Sequence, residues 1–262
     1  MTLTDSQINK WAATLLAAMD TREETKAITA AVPDLSVDDA YRIQLAAVDL
    51  RVARGETIVG AKLGLTSRAK QTQMGVDEPI YGWLFDSGTL SPEEPVVVTD
   101  QIHPRCEPEL VFVLAEDLAG PGITAHDVLD ACRVVAGGIE VIDSRYEAFS
   151  FTLPDVVADN TSAARHLVGT KGIAPRSADL GLVGCVFDVD GVTESSAAGA
   201  ALLGDPAYCV ALLANHVGEM GHSLRAGWPI LAGSLTDAVP LMPGRSVAAN
   251  YDGLGTVALR AE

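Results

Sequence analysis

The chain has little positive charge, few cysteines and no long apolar run, and each shortage excludes a class of protein. Its 262 residues include 18 Lys and Arg against 35 Asp and Glu, which gives a net charge of −17. Binding of nucleic-acid phosphates needs a basic surface, so nucleic acid is excluded as a partner. No apolar run approaches the roughly 20 residues of a membrane span, and the amphipathic N-terminus lacks the pattern of a signal peptide. We therefore expect no membrane partner.

The chain also has few cysteines and lacks the common catalytic motifs. The four cysteines are far apart and form no CxxC pair, a spacing typical of reduced thiols in a cytosolic protein. No GxGxxG follows a strand, and GxxxxGK and GxSxG are absent, which removes support for nucleotide binding and for a nucleophile elbow. The sequence thus predicts a cytoplasmic protein whose chemistry depends on other residues.

The first 55 residues have a helical pattern, and the rest of the chain is dominated by short apolar runs. Ser36 with Asp39 forms a capping-box pattern, followed by an apolar stripe at Val37, Tyr41, Leu45, Val48 and Val52. From about residue 58, apolar runs broken by Gly and Pro are typical of strands. We predict an α+β fold, with a helical N-terminal region over residues 1–57 and a β-rich catalytic domain over residues 58–262.

Four runs in the second region are strand candidates: EPVVVTD, ELVFVLA, GIEVID and LVGCVFDVDG. The dipeptides Asp190–Gly191 and Asp252–Gly253 are hairpin-turn signals between apolar runs. Two helices are predicted to interrupt the strands. One starts at Thr124, and the other starts at Asp205, with proline at its first position, and ends near Gly221.

Three carboxylates lie in apolar sequence, where a carboxylate is rare unless it is paired with a charge or bound to a cation. Glu107 and Glu109, in HPRCEPELVFVL, are two residues apart, so on an extended backbone both side chains leave the same face. Glu140, in AGGIEVIDSRY, is placed to bring a third oxygen donor from a neighbouring strand. A carboxylate-only set is typical of Mg²⁺ or Mn²⁺ rather than of zinc. The alternative is that all three are strand-end glutamates that point into water.

Other polar features allow two interpretations each. Lys62, in VGAKLGLTS, is either a surface lysine or a cation held beside an anionic site. The polar cluster in VVADNTSAARHLVG either caps a helix at Asn160 or Thr161 or forms a polar wall of a site. The segment HVGEMGH is not HExxH, because His216 and His222 are six residues apart and would lie on different faces of a helix.

Six separated segments together resemble one known family. They are GAKLGLTSRAKQTQMGVDEPIYG, HPRCEPELVFVL, GGIEVIDSRYEAF, VVADNTSAARHLVG, AGSLTDAVPL and YDGLGTVALR. The family is the 2-keto-4-pentenoate hydratase and 4-oxalocrotonate decarboxylase group of the fumarylacetoacetate hydrolase superfamily, and the resemblance covers roughly residues 36 to 260. It implies a mixed β-sandwich roll, like the C-terminal domain of fumarylacetoacetate hydrolase, with a helical N-terminal part.

The resemblance also implies a site and a substrate class. The cofactor would be Mg²⁺ or Mn²⁺, with Glu107, Glu109 and Glu140 as its ligands. Lys62 matches the lysine of a GxKxGLTS motif and would be a catalytic cation beside a small 2-oxo dicarboxylic acid. The family acts on short unsaturated 2-oxo acids in the meta-cleavage of aromatic compounds. Its members associate, so we expect a homo-oligomer and a complex with the partner hydratase.

One position distinguishes the two branches of this family. Decarboxylation of 2-oxohex-3-enedioate (4-oxalocrotonate) needs an electron sink and a dry site for the leaving carboxylate, whereas hydration of 2-hydroxypenta-2,4-dienoate needs a second acid–base group. The hydratase branch often has PDYG after its GVD motif, and this chain has EPIYG, with Ile80 in place of the acid. Isoleucine cannot transfer a proton, so we favour decarboxylation. The alternative for Ile80 is that it only packs in the core.

Substrate contacts are expected from seven residues, among which an arginine would hold the distal carboxylate bidentately. They are Leu65, Arg68, Ile80, Arg145, Asp159, Asn160 and Ser162. Two other classes of function stay open. One is an acylpyruvate- or fumarylacetoacetate-type hydrolase, which would need a base-activated water. The other is a metal-stabilised binding subunit without activity, against which the retained lysine and three glutamates argue.

Overall fold

The computed structural model describes residues 2–262, and within them two β-sheets and six α-helices form the fold. The helices are α1 (Asp5–Thr21), α2 (Val37–Ala53), α3 (Arg68–Met74), α4 (Ala125–Ala131), α5 (Leu153–Ala158) and α6 (Pro206–Glu219). The strands are β1 (Ile58–Gly64), β2 (Ile80–Phe85), β3 (Arg105–Leu114), β4 (Cys132–Ile142), β5 (Ala163–Ile173), β6 (Gly184–Val189), β7 (Val192–Ala198), β8 (Pro229–Ser234), β9 (Val239–Pro240), β10 (Ser246–Tyr251) and β11 (Gly255–Arg260).

The two sheets pack face to face. The larger has the order β2-β1-β8-β3-β4-β5, with β9 paired to β3, and only the β1–β8 pair is parallel. The smaller is antiparallel, in the order β11-β10-β6-β7. Tyr251 of β10 lies over Gly137 of β4, where any Cβ would overlap its ring, and its hydroxyl donates to the carbonyl of Gly138. The predicted α+β sandwich is confirmed.

Side-chain caps start both N-terminal helices. Thr4 forms a capping box with Gln7 at the start of α1, and the Ser36 hydroxyl accepts from the backbone N–H of Asp39 at the start of α2. The two helices pack against each other, and α2 also packs against α5. The predicted stripe is only partly right, because Val52 is 47% exposed while the polar Gln44 is buried. The Gln44 amide donates to two backbone carbonyls in the core, which no apolar pattern reveals.

Most predicted elements of the second region are present. The strands at ELVFVLA, GIEVID and LVGCVFDVDG, both hairpin turns and the helices after Thr124 and Asp205 are confirmed. The strand predicted at EPVVVTD is wrong, since Val96 makes a single bridge to Ala261 and a 3-10 turn follows at Val98–Asp100. Helices α3 and α5 were not predicted, because seven and six residues are too short for a periodic apolar pattern.

The boundary proposed at residues 57 and 58 falls between the end of α2 and the start of β1. Residues from both sides contribute to one continuous apolar core, which includes Leu16 and Ile43 from the helices and Phe112 from the sheet. The division into two domains stays a prediction. Among residues 2–262, no helix is both long enough and apolar enough to cross a bilayer.

Candidate metal centre and adjoining pocket

Neighbouring strands bring the three glutamates together. Glu107 and Glu109 lie on one face of β3, and Glu140 of β4 is paired in register with Glu107. One carboxylate oxygen of each residue lies within 4.8 Å of the others. Glu109 and Glu140 are fully buried and Glu107 is 8% exposed, so the alternative of strand-end glutamates in water is wrong.

A bulge in β8 supplies a backbone donor to this cluster. Between the positions opposite Val111 and Glu109, β8 advances from Leu231 to Ser234, so it contains one residue more than β3. The extra residue turns the N–H of Gly233 toward Glu109 Oε2, at 2.7 Å. Gly233 has φ +112°, and a Cβ there would overlap the side chain of Thr66. Only glycine can therefore occupy this position without moving the cluster.

Lys62 lies against the cluster rather than at the surface. It is 2% exposed on β1, its Nζ is 2.9 Å from Glu140 Oε2, and it donates to the carbonyl oxygen of Thr161 at 3.1 Å. Strands β8 and β3 lie between β1 and β4 in the sheet, so the long side chains of Lys62 and Glu140 together span these two strands. The interpretation of Lys62 as a surface lysine is wrong.

Burial and neighbouring charges shift the pKa values of Glu109, Glu140 and Lys62. Burial raises the pKa of Glu109 well above its usual range, and the charge of Glu140 adds to the effect. Burial also raises the pKa of Glu140, although Lys62 opposes it. Burial by itself would lower the pKa of Lys62, but the carboxylates outweigh it and the pKa is raised. Lys62 therefore stays charged and balances only part of the negative charge.

The cluster fits a hard divalent cation. Glu109 Oε1 and Glu140 Oε1 have no hydrogen-bond partner although both carboxylates are buried. Unpartnered buried oxygens are costly, and three carboxylates at these distances repel one another. Coordination of a divalent ion would remove both costs, and oxygen-only ligands suit Mg²⁺ or Mn²⁺. The residues present are those that either ion prefers.

A mostly apolar pocket of about 150 Å³ adjoins Glu107 and Lys62. A cavity of that size can hold a ring of six carbons. Its apolar lining comes from β1, β2, β4, α3, α5 and the loop before α5, and includes Leu63, Leu65, Met74, Ile80, Ile142, Phe149, Phe151 and Val156. Polar groups are contributed by Thr66, Lys70, Thr161, Ser162 and Ser234. The pocket combines a charged end with an apolar wall.

Strained backbone is concentrated around this pocket. Leu65, Phe149, Thr161 and Ser162 line it, and each is a non-glycine residue with φ between +52° and +57°. Such conformations cost free energy and persist where the surrounding structure holds them in place, most often at functional sites. Ser162 is 3% exposed, and its hydroxyl has no hydrogen-bond partner. Its strained position leaves that hydroxyl available to a ligand.

The structure places three of the seven predicted substrate contacts in the pocket wall: Leu65, Ile80 and Ser162. Ile80 is 5% exposed, and it faces the pocket as well as the core. Arg68, Arg145, Asp159 and Asn160 are not among the lining residues. Arg68 is exposed at the start of α3, outside this pocket.

Arg145 and Asp159 form a closed internal pair, which corrects their expected role. The Arg145 guanidinium donates to the Asp159 carboxylate, to the Asp159 carbonyl and to the carbonyl of Ala163. The backbone N–H of Arg145 donates to the other carboxylate oxygen. Three of the five guanidinium donors are thus used inside the protein, and Arg145 does not line the pocket beside the glutamates.

Asn160 is also structural. Its amide accepts from the N–H of Trp83 and donates to the carbonyl of the same residue, which ties the loop before β5 to strand β2. The idea of a helix cap at Asn160 or Thr161 is wrong, because α5 is capped by Thr152 and the segment 160–162 is a left-handed turn. The alternative of a polar wall holds for Thr161 and Ser162.

Several pocket residues were not predicted from the sequence. Lys70, the third residue of the RAKQTQM segment, lines the pocket with its Nζ 3.5 Å from Glu107 Oε1. Phe149 and Phe151 close the side near α5. The motif containing Lys70 was recognised, but an isolated lysine near a polar helix start looks like any surface lysine. His216 packs against Tyr41 and Tyr81.

Known proteins resemble the chain over nearly its whole length. A 4-oxalocrotonate decarboxylase of Pseudomonas sp. (strain CF600) is 44% identical over 234 residues, which are 89% of this chain and 88% of the relative. The chain belongs to the 2-keto-4-pentenoate hydratase and 4-oxalocrotonate decarboxylase family. A 2-hydroxypent-2,4-dienoate hydratase of Pseudomonas putida is 40% identical over 82% of this chain and 97% of its own length. No family model matches the chain.

Solved structures agree with this family membership. The 4-oxalocrotonate decarboxylase from Pseudomonas putida G7, complexed with magnesium and adipate, aligns with a TM-score of 0.96 at 39% identity. The alignment covers 100% of this chain and 99% of that one. A fumarylacetoacetate hydrolase from Exiguobacterium antarcticum shares the fold alone, with a TM-score of 0.60 at 15% identity over 78% of this chain. The expected superfamily fold is confirmed.

Proposed function

We propose that the protein is a carbon–carbon lyase that decarboxylates 2-oxohex-3-enedioate to 2-hydroxypenta-2,4-dienoate in the meta-cleavage of aromatic compounds. The observation that carries the proposal is the pocket wall. Ile80 and its apolar neighbours face a cavity whose other end is formed by Glu107 and Lys62. The family membership and the similarity to decarboxylases support the same reaction.

The charged end of the pocket would bind the 2-oxo acid. Glu107, Glu109 and Glu140 would hold Mg²⁺ or Mn²⁺, which when bound would polarise the 2-oxo group and stabilise an enolate. Lys62 adds a fixed positive charge beside the same group, inside a chain of net charge −17. The Ser162 hydroxyl, free of partners in the wall, is placed to donate to a carboxylate or oxo oxygen of the ligand.

The apolar wall would promote loss of the distal carboxylate. When the bond from C5 to that carboxylate breaks, its electrons form C4=C5, the C3=C4 electrons move to C2=C3, and the 2-oxo oxygen becomes an enolate. Ile80, Phe149 and Phe151 would shield that carboxylate from water, and neutral CO₂ leaves such a poorly solvated group readily. No acid is required at C5, and the apolar side chains of Ile80, Phe149 and Phe151 supply none.

The alternative is hydration of 2-hydroxypenta-2,4-dienoate, which the hydratase relatives support. Hydration needs a group to protonate C5 and deliver water to C4. Among the described residues, the pocket has Glu107, Lys62 and Lys70 as its titratable side chains, and the first two belong to the metal cluster. A hydrolase is supported less, since no histidine lines the pocket to activate water.

Product analysis on both substrates separates the candidates. With Mg²⁺ present, we expect CO₂ and the dienol from 2-oxohex-3-enedioate, and slow conversion of the dienol to 4-hydroxy-2-oxopentanoate. Rapid hydration of the dienol without CO₂ from the dicarboxylate would overturn the decarboxylase and establish the hydratase. An inactive protein that still binds Mg²⁺ would indicate a binding subunit.

Substitution of Ile80 tests the wall directly. Ile80→Asp should slow decarboxylation by adding water and a negative charge near the departing carboxylate. Ile80→Asn adds polarity without charge and should have a smaller effect, while Ile80→Leu keeps the wall apolar and should stay near wild type. Equal rates in all three variants would show that Ile80 serves only the core.

The proposal also covers the oligomeric state of the protein and its cellular compartment. We propose a cytoplasmic homo-oligomer that forms a complex with the hydratase consuming its product. All four cysteines are free and buried, which is compatible with a reducing compartment. Light scattering of the protein alone, and size-exclusion chromatography with a partner hydratase, would test both associations. A monomer in the first measurement and separate elution in the second would reject them.

A further inference from the structure

We propose that Lys70 determines the preference for dicarboxylic over monocarboxylic acids, because its ammonium group binds the second carboxylate of the ligand. The inference rests on the proposed function for its ligand class. A six-carbon dicarboxylate brings two negative charges to a chain of net charge −17. One charge would be met at the metal centre, and the other needs a cation elsewhere in the pocket.

Lys70 is the cation that remains for this purpose. Among residues 2–262, the lysines Lys62 and Lys70 are the basic side chains that line the pocket. Lys62 already contacts Glu140 and the Thr161 carbonyl at the buried end. Arg145 is paired with Asp159, and neither it nor the exposed Arg68 lines the pocket.

The setting of Lys70 suits a ligand contact rather than a fixed ion pair. The hydroxyl of Ser67 accepts from the backbone N–H of Lys70 and thereby holds the first turn of α3 in place. The side chain is 31% exposed, and its Nζ lies 3.5 Å from Glu107 Oε1. Charge-assisted hydrogen bonds are about 2.7–2.9 Å long, so this contact is loose. Coordination of a divalent ion by Glu107 would also draw its charge away from Lys70.

The two lysines lie at different depths. Lys62 has a side chain that is 3% exposed, whereas that of Lys70 is 31% exposed. Lys70 is therefore placed to meet a different part of the ligand from the part beside Lys62. Because the carboxylate still lies beside Lys70 while its bond to C5 stretches, the contact stabilises bound substrate and transition state about equally. Loss of Lys70 should raise KM and leave kcat nearly unchanged.

Calorimetry with two ligands of equal length tests the inference without turnover. Hexanedioate (adipate) and hexanoate would be titrated into the Mg²⁺-loaded protein at low ionic strength. Wild type should bind hexanedioate more tightly than hexanoate. Lys70→Met should weaken the binding of hexanedioate about 10-fold, the scale of one charged hydrogen bond, and should leave the affinity for hexanoate within about twofold of wild type. Lys70→Arg should retain most of the preference, since it keeps the charge.

Arg68→Met is the matched control, since it removes a positive charge from the same helix outside the pocket. Its discrimination between the two acids should equal that of wild type. Three outcomes would overturn the inference: no preference in wild type, equal weakening of both acids in Lys70→Met, or the same loss in Arg68→Met. Steady-state kinetics of Lys70→Met should show KM raised about 10-fold with kcat within twofold.

This test is independent of which reaction the protein catalyses. If product analysis establishes the hydratase, the proposed reaction fails while the binding contrast between the two acids can still stand. If the binding contrast is absent, the role of Lys70 fails even though CO₂ is released. The two failures are therefore distinguishable.

Discussion

Two buried ionic groups lie in the same larger sheet and its adjoining loops, and they differ in how completely the protein neutralises them. In one, Glu107, Glu109 and Glu140 share a single buried lysine, and two carboxylate oxygens lack partners. In the other, the charges of Arg145 and Asp159 balance each other, and backbone groups make further hydrogen bonds to both side chains. Sequence analysis assigned members of both groups to the functional site.

The difference shows how a site can be told from a structural ion pair. A buried pair with all donors and acceptors matched has nothing left for a ligand. A buried cluster with surplus charge of one sign is costly until a partner of the opposite sign binds. Incomplete neutralisation, rather than burial or charge, therefore marks the candidate site, and four predictions test this.

The largest expected effect is on stability at the closed pair. Arg145→Met should lower the free energy of unfolding by about 3–5 kcal/mol, because it leaves Asp159 buried without its counter-charge. Urea denaturation measures the change. Arg176→Met removes an exposed pair with Asp130 and should cost under about 1 kcal/mol. A loss in Arg145→Met no larger than in this control would show that the pair is not structural.

The next effect is on catalysis at the open cluster. Lys62→Met should lower kcat/KM by about 10²-fold, the scale of a lost charge-stabilising group. Steady-state kinetics with 2-oxohex-3-enedioate and saturating Mg²⁺ measures it. Lys171→Met, which removes an exposed lysine of β5, serves as the control for net charge. Wild-type kinetics in Lys62→Met would mean that the substrate does not use this charge.

A buried group without any charged partner extends the comparison. His166 is 2% exposed beside Glu140 in the sheet, and burial lowers its pKa from 6.5 to about 4. As pH falls through 6.5, the unfolded chain takes up a proton that the folded protein does not. The stability that neutral His166 contributes is therefore full above pH 6.5 and is lost progressively toward pH 4.

Between pH 6.5 and pH 5 this loss should reach about 2 kcal/mol in the free energy of unfolding. Denaturation curves of wild type and His166→Gln across that range give the difference, since glutamine does not titrate. The gap between the two proteins should shrink as the pH falls. Parallel curves would show that His166 is protonated in the folded protein.

The smallest expected effect is a gain in the free energy of unfolding, whereas the first prediction is a loss. In the metal-free protein, Glu109→Gln should raise the free energy of unfolding by about 1–2 kcal/mol, because it removes a repelling buried charge. Thermal denaturation in EDTA measures this, and calorimetry should show weakened Mg²⁺ binding. Glu116→Gln, an exposed acid, is the control. Lower stability together with unchanged Mg²⁺ affinity would remove Glu109 from the proposed ligand set.

Sequence patterns predicted the structure correctly where the signal lies in residues that are close together in the chain. The caps at Ser36, Thr124 and Asp205, the two Asp–Gly turns and the strand around Glu109 depend on residues within a few positions of one another. The same holds for the two-residue spacing that places Glu107 and Glu109 on one face. Motif resemblance then identified the family and its fold.

Tertiary structure decided which polar residues meet and which are already satisfied. Arg145 and Asp159 are 14 residues apart and Lys62 and Glu140 are 78 apart, and sequence shows neither partner. Whether a charged side chain is free for a ligand depends on every acceptor that the folded chain brings within about 3 Å of it. Sequence alone determined the chemistry of the site, and the fold selected Lys62, Lys70, Ile80 and Ser162 to line it while it closed Arg145 into the core.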